Sequence, residues 1–282
     1  MFDGDISVCL LDTTDMVNVA IEYHKLSPLC AAALGRTMTA TTFMASSLKN
    51  AEDRLSVTVS GNGAGGSIVV CGDSALNMRG CIDDPQVDLP LNAQGKLDVR
   101  ACVGDKGRIT VVKSMGLKEP YTGSARIVSG EIAEDFAAYY TFSEQIPTAM
   151  ALGVKIGKDL KCVGAGGVVF QVMPNAKEES ISAAEELVSK FSAVSTMIEK
   201  NGLNGIIDGF FEKVEFTEYK ARYKCNCSKE YVDGILLTLG AGELYDTVEK
   251  QGKIEVQCHF CPNKYVYYKK DVDELIENAK RD

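Results

Sequence analysis

Apolar and polar positions alternate at the start of the chain. Ile6, Val8 and Leu10 recur every second residue, the period of a strand with one buried face. Asp12 stands where a helix cap is expected, and the helix it opens is predicted to run to about Lys25. Ser27-Pro28 places a capping hydroxyl before a proline at the first helical position, which predicts a long helix ending near Asn50. The pattern then turns to short strands at residues 55–59, 67–71, 77–82, 108–113 and 125–128. Residues 131–145 read as a helix stopped by Pro147, and residues 151–156 and 167–173 as further strands. Strands come in runs and do not alternate with helices one for one. This predicts an α+β fold with a mixed α/β-sheet core.

After Pro174-Asn175 the composition shifts to Ala, Ser, Glu and Lys. Ile181, Ala184, Val188, Phe191, Val194 and Ile198 form a helical stripe, predicting one helix over 177–200 that stops at Asn201-Gly202. A short segment with Ile206, Ile207, Phe210 and Phe211 follows. Further on, Ser228 caps a predicted helix to residue 239, 243–250 suggests another, and 253–257 and 264–268 read as two short strands. Asp271 with Glu274 resembles a capping box opening a last helix. The expected organisation is an α+β core domain over 1–175, a helical linker over 176–222 and a small C-terminal zinc-binding, redox-switch domain over 223–282.

Composition narrows the function. The 282 residues are 45% hydrophobic and 24% charged, an ordinary globular balance. The net charge of -9 has the wrong sign for a protein that neutralises phosphates, which argues against nucleic acid as partner. No apolar run approaches a membrane span. The start, with Asp3 and Asp5, does not read as a secretory signal, so a cytoplasmic location is expected. Ten cysteines then suit a reducing compartment. Cys9, Cys30, Cys71, Cys81, Cys102 and Cys162 are scattered singly and read as small buried hydrophobes.

The other four are paired: Cys225-Asn-Cys227 and Cys258-His-Phe-Cys261. Two close thiol pairs flanking an intervening segment are the layout of a structural zinc site. Thiolates suit zinc's softness, and four of them fill its tetrahedron. A tail this short would struggle to build a sufficient core without such a cross-link. The single residue between Cys225 and Cys227 is fewer than zinc ribbons usually use. Alternate Cα atoms of an extended chain lie roughly 6.8 Å apart, at the upper edge for a disulfide. A bridge there would be strained and labile, whereas the second pair could close across a tight turn. Each pair can therefore hold zinc or form a disulfide, and a disulfide removes zinc ligands. Structural zinc contributes on the order of 10–16 kcal/mol in small peptides, so its loss should unfold the tail.

The remaining candidates are weak. His259 lies inside the second pair, but four sulfurs already complete a site; His24, the only other histidine, sits on a helical pattern and reads as structural. Gly61, Gly63 and Gly66 match a dinucleotide fingerprint, yet another strand pattern follows where a helix is required. A glycine-rich hairpin is expected there, and Gly164, Gly166 and Gly167 share its character. Tyr265, Tyr267 and Tyr268 are expected to pack the zinc hairpin. No catalytic constellation stands out, so an enzyme reading ranks last.

The cysteine order and several core motifs resemble the heat-shock protein 33 family of redox-regulated chaperones. The motifs are His24-Lys-Leu-Ser-Pro28, Arg36, Leu48-Lys49, the glycine turn from Gly61 to Gly66, Arg79-Gly80, Tyr121-Thr-Gly123 and Phe142-Ser-Glu-Gln-Ile-Pro-Thr148. The resemblance implies an ATP-independent holdase, not an enzyme, inactive when reduced and zinc-bound. Cys225, Cys227, Cys258 and Cys261 would be both the zinc ligands and the redox switch. Oxidation would form a disulfide within each close pair, release zinc and loosen the linker. Exposed apolar surface would then hold unfolding client proteins, typically as a homodimer. The alternative is a constitutive zinc-ribbon binding protein with RNA as partner, which the acidic charge disfavours.

Overall fold

The computed structural model describes residues 4–211 and 214–279. Asp3, and Glu212 and Lys213 within the predicted linker, lie outside them. The chain divides into two compact units, Met1–Lys224 and Cys225–Asp282.

The first unit begins with β1 (Ile6–Asp12), α1 (Thr14–His24) and α2 (Pro28–Ser46). The Ser27 hydroxyl accepts the Cys30 N–H at 3.1 Å and caps α2 as predicted, whereas the N-cap of α1 is Thr13, not Asp12, whose carboxylate accepts the Thr14 N–H at 3.0 Å from one residue further back. A hairpin-rich stretch follows: β2 (Arg54–Ser60), β3 (Ser67–Asp73), β4 (Asn77–Ile82), α3 (Val99–Val103), β5 (Arg108–Ser114) and β6 (Tyr121–Arg126). With β9 (Arg222–Tyr223) they form a six-stranded sheet in the order β6-β5-β2-β3-β4-β9, antiparallel except for β4-β9. After α4 (Ala133–Tyr139), strands β7 (Thr148–Ile156) and β8 (Cys162–Val172) join β1 in an antiparallel sheet ordered β1-β8-β7.

Helix α2 packs against β3 and β4 of one sheet and β7 and β8 of the other. It is therefore buried all round, with an apolar surface dominated by Leu, Ala and Met. Its buried Thr37, Thr39, Thr41 and Thr42 hydroxyls each donate to the carbonyl one turn back, at 2.7–2.9 Å, so none is left unsatisfied. Strand alternation is as expected: Leu55, Val57, Val59, Ile68, Val70 and Met78 point into this core.

The glycine turn between β2 and β3 is a hairpin, not a helix start. Its Gly63 and Gly65 N–H groups donate to the Val103 and Cys102 carbonyls at 3.0 and 2.8 Å. A Cβ at Gly61 would stand 1.9 Å from the Val103 carbonyl, so this contact needs glycine.

Several expectations are corrected. The second long helix ends at Ser46, capped by Ser47, short of Asn50. The strand expected at 125–128 lies at Tyr121–Arg126. The buried Asp135 carboxylate accepts N–H groups of Val128, Ser129, Gly130 and Ile132, which folds that stretch into a turn and delays the helix to Ala133. That helix then loosens into a π-helical turn, Tyr140–Glu144, where Glu144 accepts from Lys113 and from the Tyr139 hydroxyl at 2.7 Å each. The glycines at Gly164, Gly166 and Gly167 lie inside β8; a Cβ at Gly164 would meet the Ser195 carbonyl at 2.2 Å.

The helix expected over 177–200 is two helices, α5 (Glu178–Ser189) and α6 (Val194–Phe210). The turn between them seats Phe191, wholly buried, against Phe170, Phe210 and Phe211. Gly202 does interrupt the helix, with φ of 62°, but α6 resumes beyond it. Both helices cover the β1-β8-β7 sheet through Phe191, Val194, Ile198 and Ile206 on Ile6, Val168 and Phe170. Asp5 holds the start of α5, accepting the Ser180 hydroxyl at 2.6 Å and the Lys177 N–H at 3.1 Å. A groove of about 660 Å³ runs beside β1, lined in part by Val8, Leu10, Ile207, Phe211 and Phe216.

The second unit has α7 (Lys229–Leu239), α8 (Ala241–Gln251), the hairpin β10 (Ile254–Gln257) and β11 (Lys264–Tyr267), and α9 (Lys269–Ala279). Ser228 caps α7 through the Tyr231 N–H at 3.2 Å. Asp271 lies in the first turn of α9, not ahead of it, and reaches back to the Tyr268 N–H at 2.8 Å. The unit's core is Val232, Leu236, Leu244, Val248, Ile254, Tyr267, Val272 and Ile276.

Candidate metal centre

The four paired cysteines sit at element ends of the second unit. Cys225 and Cys227 lie on the non-helical chain leading to the Ser228 cap of α7. Cys258 follows β10, and Cys261 lies in the turn before β11. The Cys258 N–H donates to the Asn263 carbonyl at 3.0 Å, which closes that turn. The β10-β11 register thus presents one thiol pair to the other across the fold of the unit.

All four sulfurs lie within 4.8 Å of one another. The Cys225 sulfur is 3.6 Å from that of Cys258, and the Cys227 sulfur 3.4 Å from that of Cys261. A tetrahedron with metal–sulfur bonds near 2.3 Å has edges of about 3.8 Å. The sulfurs are therefore close enough to hold one ion, and a soft, all-thiol donor set suits a soft tetrahedral metal. Cys261 is buried and the other three are half-buried, so the centre is shielded without being sealed.

The thiols differ electrostatically. Burial pushes Cys225 up to about 11 and raises Cys261 as well. Burial acts in the same direction on Cys227 but is outweighed there. The Tyr265 hydroxyl, then Cys261, Cys225 and the Asn263 amide, donate to its sulfur and bring it down to about 7. The Tyr265 hydroxyl lies 3.2 Å and the Asn263 amide nitrogen 3.5 Å from that sulfur. The Phe260 N–H donates to the Cys258 sulfur at 3.4 Å. Partners of this kind orient ligands and stabilise their charge.

Asn263 and Tyr265 were not singled out as sulfur partners from the sequence. The period-two pattern of β11 does put Tyr265 and Tyr267 on one face, but the identity of what that face meets is a tertiary fact. Tyr267 packs as expected, wholly buried and donating to Asp233 at 2.6 Å, while Tyr268 is exposed. His259 is exposed and is not part of the sulfur group. His24, at the end of α1, faces the Tyr223 hydroxyl at 3.2 Å, and burial lowers its pKa. Of the single cysteines, Cys30, Cys102 and Cys162 are buried and Cys9, Cys71 and Cys81 are half-buried. Among the described residues no helix is long and apolar enough to cross a membrane.

Comparison with known proteins agrees with the fold. The family model described as Hsp33 protein matches residues 1–268. The 33 kDa chaperonin of Ruminiclostridium cellulolyticum is 42% identical over 274 residues, covering 95% of this chain and 93% of its own. That of Staphylococcus carnosus is 42% identical over 282 residues, covering 98% and 95%. The crystal structure of the 33 kDa chaperonin (heat shock protein 33 homolog) from Thermotoga maritima superposes with a TM-score of 0.89 at 34% identity, covering 100% of this chain and 97% of that one. With a matching family model over nearly its whole length, a shared fold and a four-cysteine cluster near its C-terminus, the chain belongs to the heat-shock protein 33 family of chaperones.

Proposed function

We propose that this protein is a redox-regulated, ATP-independent holdase whose switch is the sulfur cluster of Cys225, Cys227, Cys258 and Cys261. The observation that carries the reading is the convergence of four thiols within 4.8 Å in a unit with a small core of its own. In the reduced protein the four sulfurs would hold one zinc ion per chain, which cross-links the start of α7 to the β10-β11 hairpin. An oxidant such as hydrogen peroxide takes two electrons from each close pair of thiolates and is reduced to water, and a sulfur–sulfur bond forms in place of two metal–sulfur bonds. Each bond removes two ligands.

Two sulfur contacts run between the pairs, Cys225 to Cys258 at 3.6 Å and Cys227 to Cys261 at 3.4 Å. Closure within each pair is nevertheless the favoured end state. Once the metal is gone the two segments can drift apart, while partners one or two residues distant stay tethered at small loop-closure cost.

Loss of the cross-link would unfold the C-terminal zinc domain over 223–282 and loosen the helical linker over 176–222 from the core domain over 1–175. The apolar faces of α5 and α6, and the groove beside β1, are the surfaces that would then hold unfolding clients, with a homodimer as the active form. Ten unbridged cysteines suit a reducing cytoplasm. The net charge of -9 speaks against nucleic acid as partner.

The test follows zinc content, free thiol count and aggregation of a thermally unfolding client through one oxidation series. Zinc release, loss of about four thiols per chain and suppressed aggregation should rise together. Zinc loss that leaves aggregation unchanged would sink the reading.

A further inference from the structure

Strand β9 is only two residues long, Arg222–Tyr223, and is the last element of the first unit. Cys225 follows Lys224 directly. The stretch before β9, residues 214–221, has no regular secondary structure and is mostly exposed. The Arg222 and Lys224 N–H groups donate to the Leu76 and Met78 carbonyls at 3.1 and 2.8 Å. The Arg222 Nε donates to the Asn77 side-chain oxygen at 2.7 Å. So short a pairing sets few bonds against the entropy of fixing the chain.

Tyr223 adds to that hold with its side chain. Beyond the paired residues, β4 runs on to Gly80, whose backbone the Tyr223 hydroxyl takes up. The Gly80 N–H donates to that hydroxyl at 3.4 Å, and the hydroxyl donates to the Gly80 carbonyl at 3.0 Å. Its one proton is thereby committed, so it stands as acceptor towards the His24 Nε2, 3.2 Å away at the end of α1. The Tyr223 ring meets Tyr23 edge-on, with centroids 5.5 Å apart and planes at 88°. One side chain thus fastens the end of the unit to both β4 and α1, each far from it in sequence.

We propose that Tyr223 is a latch: its hydroxyl holds residues 214–224 on the edge of β4, and its release opens the groove beside β1 while the core stays folded. That groove is walled on one side by residues 214–219 and Ala221, with Leu76 at the start of β4 also lining it. When β9 parts from β4, the wall is free to move away, and Val8, Leu10, Ile207 and Phe211 gain exposure. Local opening of this kind belongs to elements with few buried contacts and few bonds. The first thiol pair begins two residues after Tyr223, so loss of order downstream pulls first on this latch. That regulatory consequence rests on the switch proposed above; the latch itself does not.

The reduced, zinc-loaded, full-length protein is compared as wild type, Tyr223→Phe and Tyr219→Phe. The first variant deletes the hydroxyl and keeps the ring beside Tyr23; the second alters an exposed tyrosine of the same stretch. Amide exchange by NMR, binding of a hydrophobic dye and zinc content are read in each. In Tyr223→Phe the Arg222 and Lys224 amides should exchange about tenfold faster than in wild type, the scale of one or two lost hydrogen bonds. Dye binding should rise, and zinc content should equal that of wild type. Tyr219→Phe should match wild type throughout. Unchanged exchange at the two amides, or faster exchange without more dye binding, overturns the proposal. Faster exchange shared by the amides of α2 also overturns it, because the hydroxyl would then support the whole fold. Should Tyr223→Phe fail to fold, Arg222→Ala, which loses the bond to Asn77, must give the same local gain, and its absence is equally fatal. Oxidised wild type that suppresses no client aggregation would count against the redox reading alone, since none of these readouts involves an oxidant.

Discussion

The unit that ends at Lys224 wraps two sheets around α2 and buries large side chains such as Phe136, Tyr139, Met38 and Leu34 with almost no exposure. The unit from Cys225 has one modest cluster, centred on Val232, Leu236, Leu244, Val248, Val272 and Ile276. Burial contributes roughly 25 cal/mol per Å² of apolar surface, against an ordering cost that grows with every residue. The first unit has enough interior to win that balance by packing. The second sits near the size at which domains come to need metals or disulfides. If the four sulfurs hold a metal as proposed, its loss falls on the unit that most needs a cross-link.

The sharpest way to break that comparison is Cys261→Ser. Losing one of four sulfurs should abolish stoichiometric zinc binding and remove on the order of 10 kcal/mol of metal-linked folding energy from the second unit. Near-complete loss of ordered amide signals from residues 225–279, with those of the first unit retained, is the expected NMR result. A second unit that stayed folded without metal would show that its small core suffices and would end the contrast. A strong zinc chelator should reproduce the effect on wild-type protein.

The converse variant is Phe191→Ala. This ring is wholly buried and packs on Phe170, Phe210 and Phe211, so its removal should cost about 3–5 kcal/mol. The loss falls on the cover that α5 and α6 make over the β1-β8-β7 sheet. Zinc stoichiometry should be unchanged, while binding of a hydrophobic dye and proteolysis near residues 190–193 should increase. An unchanged denaturation midpoint would mean that these helices are not held by that ring cluster.

The same contrast explains what the sequence disclosed. Ser27-Pro28, the alternation in β2 and β3, and the paired cysteines were legible because each signal is local. The cluster needed only the rule that close thiol pairs seek a common ion. What was not legible depends on partners distant in sequence. The break at Phe191 exists because Phe170 offers a seat; Gly164 is there because α6 approaches β8; the turn at residues 128–132 is folded by Asp135. Helix α3 is too short to show a helical period, and β9 is a two-residue pairing to β4. Tyr265 was visible as an aromatic on a strand face, but its contact with the Cys227 sulfur depends on the hairpin's placement against the first thiol pair.

That contact supports a smaller, sharper test. Tyr265→Phe keeps the ring and deletes the hydroxyl that lies 3.2 Å from the Cys227 sulfur. Zinc affinity should fall by about tenfold, the low end for partners that support a metal ligand. The unit should remain folded in saturating zinc. Competition with a chromophoric chelator reads the affinity. An affinity equal to wild type would assign the tyrosine to packing only.

The smallest expected effect lies in the first unit and concerns pH. Burial lowers the pKa of His24 from its ordinary value near 6.5, partly offset by a hydrogen bond with Gly80. Between the lowered folded value and about 6.5 the unfolded chain binds a proton that the folded chain does not. Stability from this residue is therefore fully present above pH 6.5, declines as pH falls through that window, and is lost once the folded form also protonates. The melting temperature of the first unit should drop more steeply below pH 6.5 in wild type than in His24→Gln, which has nothing to titrate there. Identical slopes for the two proteins would show that the imidazole beside Tyr223 gains its proton as readily folded as unfolded. The second unit gives the internal control, since its own transition should be indifferent to this substitution.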